Sequence, residues 1–218
     1  MNDTSHTVTR RAALRMLAAA TALAFLRPAR AASGRLVAFG DSITYGLGAS
    51  APDRVYINQV AAAWGMPLRN CAVSGSHLAE IAACAAAQLL TPADTVLALV
   101  GYNDMRAGTP LATFRQQLDG MLADVCGRAG RVLIGNCLRM TPEGYAEPHG
   151  PYGSDAAVYA FNEQITAACA AAGAQLVDVC ARYDPAHVTS DLVHPDDVGH
   201  AQIAAAFVRP YVAFIPVE

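Results

Sequence analysis

Four short polar clusters interrupt an otherwise apolar chain: Gly40-Asp41-Ser42-Ile43-Thr44, Val73-Ser74-Gly75-Ser76, Gly101-Tyr102-Asn103-Asp104 and Asp191-Leu192-Val193-His194-Pro195. The last places a carboxylate three residues before an imidazole. On a turn, that spacing lets Asp191 reach His194 and fix its orientation, which is the orienter–base half of a nucleophilic triad. Ser42 supplies a hydroxyl that such a base could activate. Each cluster alone is ordinary. Gly-Asp-Ser is a common turn, Gly75 by itself is a turn residue needing positive φ, Asn103 is a cap, and His194 before Pro195 opens a helix. Their conjunction, in order and each after its own apolar run, is far more specific.

The elements that must position these clusters alternate between strand and helix. Arg35 to Phe39 is a short apolar run ending at Gly40, and a helix follows through Val55–Trp64, stopped at Gly65. Leu68 to Val73 reads as the second strand and Leu78–Leu90 as an alanine-rich helix. Thr95 to Val100 is nearly continuous in apolar residues, the pattern of a strand buried on both faces. Thr109-Pro110 opens a helix with Thr as N-cap, and Leu111, Phe114, Leu118, Leu122 and Val125 keep the 3–4 spacing of one buried face. Arg131 to Gly135 is the fourth strand. Ser154 caps a helix whose Val158, Phe161, Ile165 and Cys169 repeat that spacing. Gln175–Val179 is the fifth strand, and a last helix runs from near Pro195 toward Val212. Five strands alternating with helices imply a three-layer α/β/α sandwich around a parallel sheet. By analogy its order is flavodoxin-like, 2-1-3-4-5, and ligands bind outside the carboxyl ends of such strands. The irregular segment Leu138–Gly153, with Tyr145, His149 and Tyr152, follows the fourth strand. It is expected to overhang that edge, either as a binding loop or as a surface excursion.

Together these blocks resemble the SGNH or GDSL hydrolases over nearly the whole chain after residue 31. Gly40-Asp41-Ser42 resembles the nucleophile block, Gly75 the family glycine, Gly101-Tyr102-Asn103-Asp104 the Gly-x-Asn-Asp block, and Asp191-Leu192-Val193-His194 the Asp-x-x-His block. Ile43 stands where the short name has Leu, a conservative departure. The resemblance implies that Ser42 is the nucleophile, His194 the general base and acid, and Asp191 its orienter. It also implies an oxyanion hole formed by the backbone N–H groups of Ser42 and Gly75 and the side-chain amide of Asn103. Asp41 and Asp104 are expected to brace loops, and no metal or cofactor is implied. Two other classes share some of these features. A binuclear metallophosphoesterase also uses Gly-Asp, Asn-Asp and late histidines such as His194 and His200, but its opening Asp-x-His is missing here. A catalytically silent carbohydrate-binding or scaffold protein on the same fold has no need of all four blocks.

Composition narrows partners and compartment. The 218 residues are 54% hydrophobic and 15% charged, enough for one domain with a sizeable core. All fifteen basic residues are arginine. With no lysine, a Walker-A loop, a pyridoxal Schiff base and a Ser-Lys dyad are excluded. Residues 1–31 resemble a cleavable export signal. Arg10-Arg11 is a twin-arginine pair, Met16 to Leu26 is an apolar run too short to span a bilayer, and Ala29-Arg30-Ala31 is a small-x-small cleavage site. The arginine pair favours the twin-arginine route, though the apolar run also suits the general secretory one. Five of the fifteen arginines and one of the eighteen acids leave with it, so the net charge moves from −3 to −7 over residues 32–218, a single domain. Such a surface repels nucleic acid, and no second long apolar run exists to insert in a membrane. A periplasmic or secreted enzyme acting on small-molecule or carbohydrate esters is expected, with short-chain or acetyl esters ahead of thioesters and lysophospholipids. The six cysteines are either small buried side chains or, for Cys126 and Cys169 near the ends of adjacent helices, a bridge. Folding in a reducing cytosol before twin-arginine export favours thiols.

The exported protein is expected to begin at Ala32, and Arg10→Lys with Arg11→Lys to block export. N-terminal sequencing and fractionation check both. An exported chain starting at Met1, or normal export of the double variant, would contradict the respective expectation.

Overall fold

A computed structural model describes residues 34–146 and 152–212. The export segment, His149 and its immediate neighbours lie outside those residues. The strands form where apolar runs can be buried on both faces. β1 (Leu36–Phe39) and β3 (Thr95–Leu99) are buried along their whole lengths, and β4 (Arg131–Gly135) is buried beyond its first residue. The more polar β2 (Leu68–Asn70) and the short β5 (Gln175–Val177) take the two edges. All neighbours are parallel, in the order β2-β1-β3-β4-β5, as the sequence implied. Registers such as Leu36↔Thr95 and Thr95↔Arg131 align the amino ends of the three central strands, so their carboxyl ends open together on one edge.

Seven helices accompany the sheet among the described residues: α1 (Ser42–Tyr45), α2 (Tyr56–Trp64), α3 (Leu78–Ala86), α4 (Tyr102–Ala107), α5 (Leu111–Arg128), α6 (Asp155–Ala172) and α7 (Asp197–Val212). α2 packs on α7 in one layer, while α3, α5 and α6 pack side by side in the other. The expected stripe on α5 is buried at Phe114, Leu118, Leu122 and Val125; on α6 it is buried at Val158, Phe161, Ile165 and Cys169. Phe114 and Phe161 join the two helices, their ring centroids 4.7 Å apart. Ser154 caps α6 by accepting from the Ala157 N–H at 3.0 Å.

Several boundaries differ from the sequence reading for identifiable reasons. β2 ends at Asn70 rather than Val73, although the Cys71 and Val73 N–H groups continue to donate to Ala38 and Gly40. α5 starts at Leu111, and Pro110 rather than Thr109 stands at its N-cap. Thr109 belongs to the preceding turn, where Gly108 adopts φ +70° to end α4 and the Thr109 N–H donates to the Asp104 carbonyl. The helices α1 and α4 have four and six residues, too few to show a period. All six cysteines are free thiols, so the Cys126–Cys169 bridge is not formed. Those two are nonetheless neighbours: burial, with a contribution from Cys126, pushes the Cys169 thiol up to about 12. Within the segment after β4, Tyr145 turns inward. Its hydroxyl accepts from the Met140 N–H at 3.1 Å and donates to Asp155 at 2.7 Å.

Candidate active site

The first polar cluster forms the turn from β1 into α1. Asp41 caps α1, its Oδ1 accepting from the Ile43 N–H at 3.0 Å, so Ser42 is held in the first turn. The fourth cluster folds around the carboxylate of Asp191. Its Oδ1 accepts from the Thr189 hydroxyl at 2.7 Å and from the Val193 and His194 N–H groups, each at 2.9 Å. Its Oδ2 faces His194 Nδ1 at 2.6 Å. Desolvation pushes this carboxyl up, but the hydrogen bonds from the His194 ring and N–H, Val193 and Thr189 outweigh it and hold the group well below the usual range. Wrapping the backbone so tightly forces Leu192 to φ +61°, a positive φ seen at no other non-glycine among the described residues. With Nδ1–H directed at Asp191, Nε2 is left as an acceptor, and it lies 2.9 Å from Ser42 Oγ. Asp191, His194 and Ser42 are therefore one continuous hydrogen-bonded chain.

The other two clusters converge on the same edge. Gly75 adopts φ +82°, and no hydrogen bond among the described residues uses its N–H. Asn103 Nδ2 donates to the Ser76 carbonyl at 2.9 Å and, over a longer 3.4 Å, to Asp41 Oδ2. Asp104 braces the neighbouring loop, accepting from the Leu78 N–H at 2.9 Å at the start of α3. Burial raises the Asp104 carboxyl, and it raises Asp41 to about 6 against the opposing Ile43 N–H and His194. Among the described residues no group of three or more His, Cys, Asp or Glu side chains is gathered to hold a metal ion.

Several contacts that the sequence did not signal hold the clusters in register. The buried hydroxyl of Tyr102 donates to the Val193 carbonyl at 3.1 Å, tying the asparagine cluster to the histidine turn. Arg106 lies 5.7 Å over the same ring. His200, fully buried, joins the chain after Ser42 to α7: its Nδ1 accepts from the Tyr56 N–H at 3.3 Å and its Nε2–H donates to the Leu47 carbonyl at 3.0 Å. Beside it, the Ser50 N–H and hydroxyl donate to Asp197 at 2.8 and 2.6 Å. Gly48 sits so close to the Pro195 carbonyl that a Cβ there would approach it to 2.1 Å. The partners of the Tyr102 hydroxyl and of His200 are 91 to 153 residues away, and only the fold brings them together.

A family model described as GDSL-like lipase/acylhydrolase matches residues 38–202, from within β1 into α7. The chain belongs to that family. It is a GDSL hydrolase, and the resemblance carried by the four blocks holds. No curated protein matches it. Among solved structures, the lipase/acylhydrolase from Enterococcus faecalis superposes with a TM-score of 0.68 at 21% identity, covering 83% of this chain and 96% of that one. A lipolytic G-D-S-L protein from Veillonella parvula gives 0.66 at 19%, covering 82% and 98%. Axe2, an acetylxylan esterase from Geobacillus stearothermophilus, gives 0.60 at 18%, covering 81% and 94%. At these identities the likeness is one of fold.

Burial holds the His200 imidazole below its usual pKa. The unfolded chain therefore takes up the proton first, and the stability present above about pH 6.5 is lost as pH falls from there toward the folded value. His200→Gln, which keeps a donor and an acceptor but cannot titrate, is expected to melt lower at pH 7.5 and to lose less Tm between pH 6.5 and 5 than the wild type. Thermal melts across that range check this. Asp41 is common to both proteins and cancels in the comparison. Parallel losses in the two proteins would contradict it.

Proposed function

We propose that this GDSL hydrolase is an exported serine esterase that cleaves short-chain or acetyl esters through an acyl-enzyme at Ser42. The observation that carries the reading is the unbroken hydrogen-bonded chain from Asp191 through His194 to Ser42. In this mechanism His194 Nε2 takes the Ser42 proton as Oγ attacks the ester carbonyl, then returns a proton to the departing alcohol. Water repeats the sequence in reverse and releases the acid. Asp191 fixes the histidine tautomer and balances the imidazolium charge. The Ser42 and Gly75 N–H groups and Asn103 Nδ2 receive the developing oxyanion. The Asn103 hydrogen held only at 3.4 Å by Asp41 is the one offered to it, since a bond that long is weak. Exposed Tyr45, Leu47 and Val73 on the segments bearing Ser42 and Gly75 offer an open apolar border suited to a small acyl group. The fold shared with an acetylxylan esterase supports acetylated carbohydrate as the alcohol side.

A fluorophosphonate probe is expected to label Ser42 and to fail on Ser42→Ala. Initial rates across p-nitrophenyl esters are expected to peak at the shortest acyl chains, and acetylated xylan to be deacetylated. A maximum at long chains, or on acyl thioesters, would overturn the substrate assignment while leaving the nucleophile in place. Asn103→Ala is expected to lower kcat by roughly 10²–10³-fold with little change in KM, the usual cost of an oxyanion donor. Asn103→Asp is expected to do no better, because a carboxylate repels the oxyanion. A folded Asn103→Asp enzyme with near-normal kcat would show that Asn103 is a structural cap instead.

A further inference from the structure

The cysteines take no part in the chemistry above, yet their placement is not scattered. They fall into three neighbouring pairs: Cys71 beside Cys84, Cys126 beside Cys169, and Cys137 beside Cys180. Two of these pairs contain deeply buried thiols, with Cys137 and Cys169 each 1% exposed. Cys71 and Cys84 are both only half-buried, within reach of a small reagent. They also touch: Cys84 Sγ lies 3.5 Å from the Cys71 carbonyl oxygen. Cys71 directly follows β2 and Cys84 stands in the second turn of α3, so the chain between them is the loop that carries Gly75 and Ser76.

We propose that Cys71 and Cys84 form a thiol modification site, which a small disulfide oxidant converts to an intramolecular disulfide bracing the Gly75 loop. One thiolate attacks a sulfur of the oxidant, forming a mixed disulfide and expelling one thiolate. The second cysteine then attacks the protein sulfur of that bond and expels the other. Two protein thiols and one disulfide become one protein disulfide and two small thiols, so the protein loses two electrons and the oxidant gains them. The Cys84 sulfur already lies against the Cys71 backbone, and a bridge requires that the two Cα atoms stand no more than about 7 Å apart. Burial and the neighbouring Cys71 push the Cys84 thiol up, and the Arg69 guanidinium partly offsets this. Formation is therefore expected to be slow near neutral pH and faster in mild alkali.

The closed loop would hold the Ser76 carbonyl that positions Asn103 without touching Ser42, His194 or Asp191. The bridge itself does not depend on the proposed esterase activity. The test uses the purified full chain and oxidised glutathione. Cys71 and Cys84 share one Arg-to-Arg tryptic peptide, residues 70–106. That peptide is expected to lose two hydrogens and to resist alkylation, with no retained glutathione. Tm is expected to rise by about 3 °C or more and to return on reduction, as for a short-loop crosslink. Cys71→Ser and Cys84→Ser are each expected to retain a glutathione adduct on the remaining cysteine and to show no such rise. Both cysteines still alkylatable after oxidant treatment, stable adducts on the wild-type pair, or loss of hydrogens only from other peptides would each overturn the proposal. Because mass is read on the wild type, a variant that fails to fold does not obscure the outcome.

Discussion

The carboxylate of Asp191 is the point on which the site is built. It accepts four hydrogen bonds from Thr189, Val193 and the ring and backbone of His194, enough to keep it ionised despite its partial burial. Those bonds cannot all form unless the turn closes tightly, and the cost appears as the positive φ of Leu192. A non-glycine residue held there is worth about 1–3 kcal/mol of strain. The turn keeps it because the surrounding bonds leave no alternative. One result is the direction of His194: Nδ1–H toward Asp191 and Nε2 toward Ser42.

That turn would be useless if it drifted relative to β1. Each polar cluster therefore contributes a residue facing the proposed reaction centre and another that braces a different cluster. Ser42 is accompanied by Asp41, which caps α1 and reaches Asn103. Asn103 is flanked by Tyr102, which holds the Val193 carbonyl, and by Asp104, which holds the start of α3. Past His194, Asp197 and His200 clasp the segment after Ser42. The parallel sheet brings the carboxyl ends close, and these cross-braces set the final ångström. Precision of this kind governs whether a nucleophile and base meet in a productive geometry.

The sequence made the sheet and the chemical residues legible because both depend on local information. Thr95 to Val100 has the pattern of a strand buried on two faces, and Asp191 and His194 stand three residues apart on a turn, a spacing that lets the carboxylate reach the imidazole. The braces were hidden for the opposite reason. Nothing about Tyr102 signals a hydrogen bond to Val193, and nothing about His200 signals Leu47, because proximity arises only after β1, β3 and α7 have assembled. Thr109-Pro110 shows local chemistry misleading: it has the form of a helix start, but Thr109 sits in the turn that ends α4, and the helix begins after Pro110 with no side-chain cap. Cys126 and Cys169 were correctly expected to be neighbours, but adjacency on two packed helices did not make a bond.

The carboxylates around the site bear on its chemistry. The proposed reaction develops a negative charge beside Ser42, yet three carboxyl groups stand in the same clusters. Asp191 is ionised but lies beyond the imidazole, where its charge favours the imidazolium. Asp41 directly precedes Ser42 and Asp104 directly follows Asn103, and they are 3% and 2% exposed. Full ionisation at those depths would oppose the oxyanion. Burial raises both, Asp41 to about 6, which still leaves it largely ionised at neutral pH; what offsets the charge is that their oxygens are directed into the N–H groups of Ile43 and Leu78. The contact from Asp41 to Asn103 stays long. A short bond there would have committed the amide to a carboxylate before any substrate arrived. At 3.4 Å the amide is oriented by Ser76 but still open to a better acceptor, which is the condition a transition-state donor must meet.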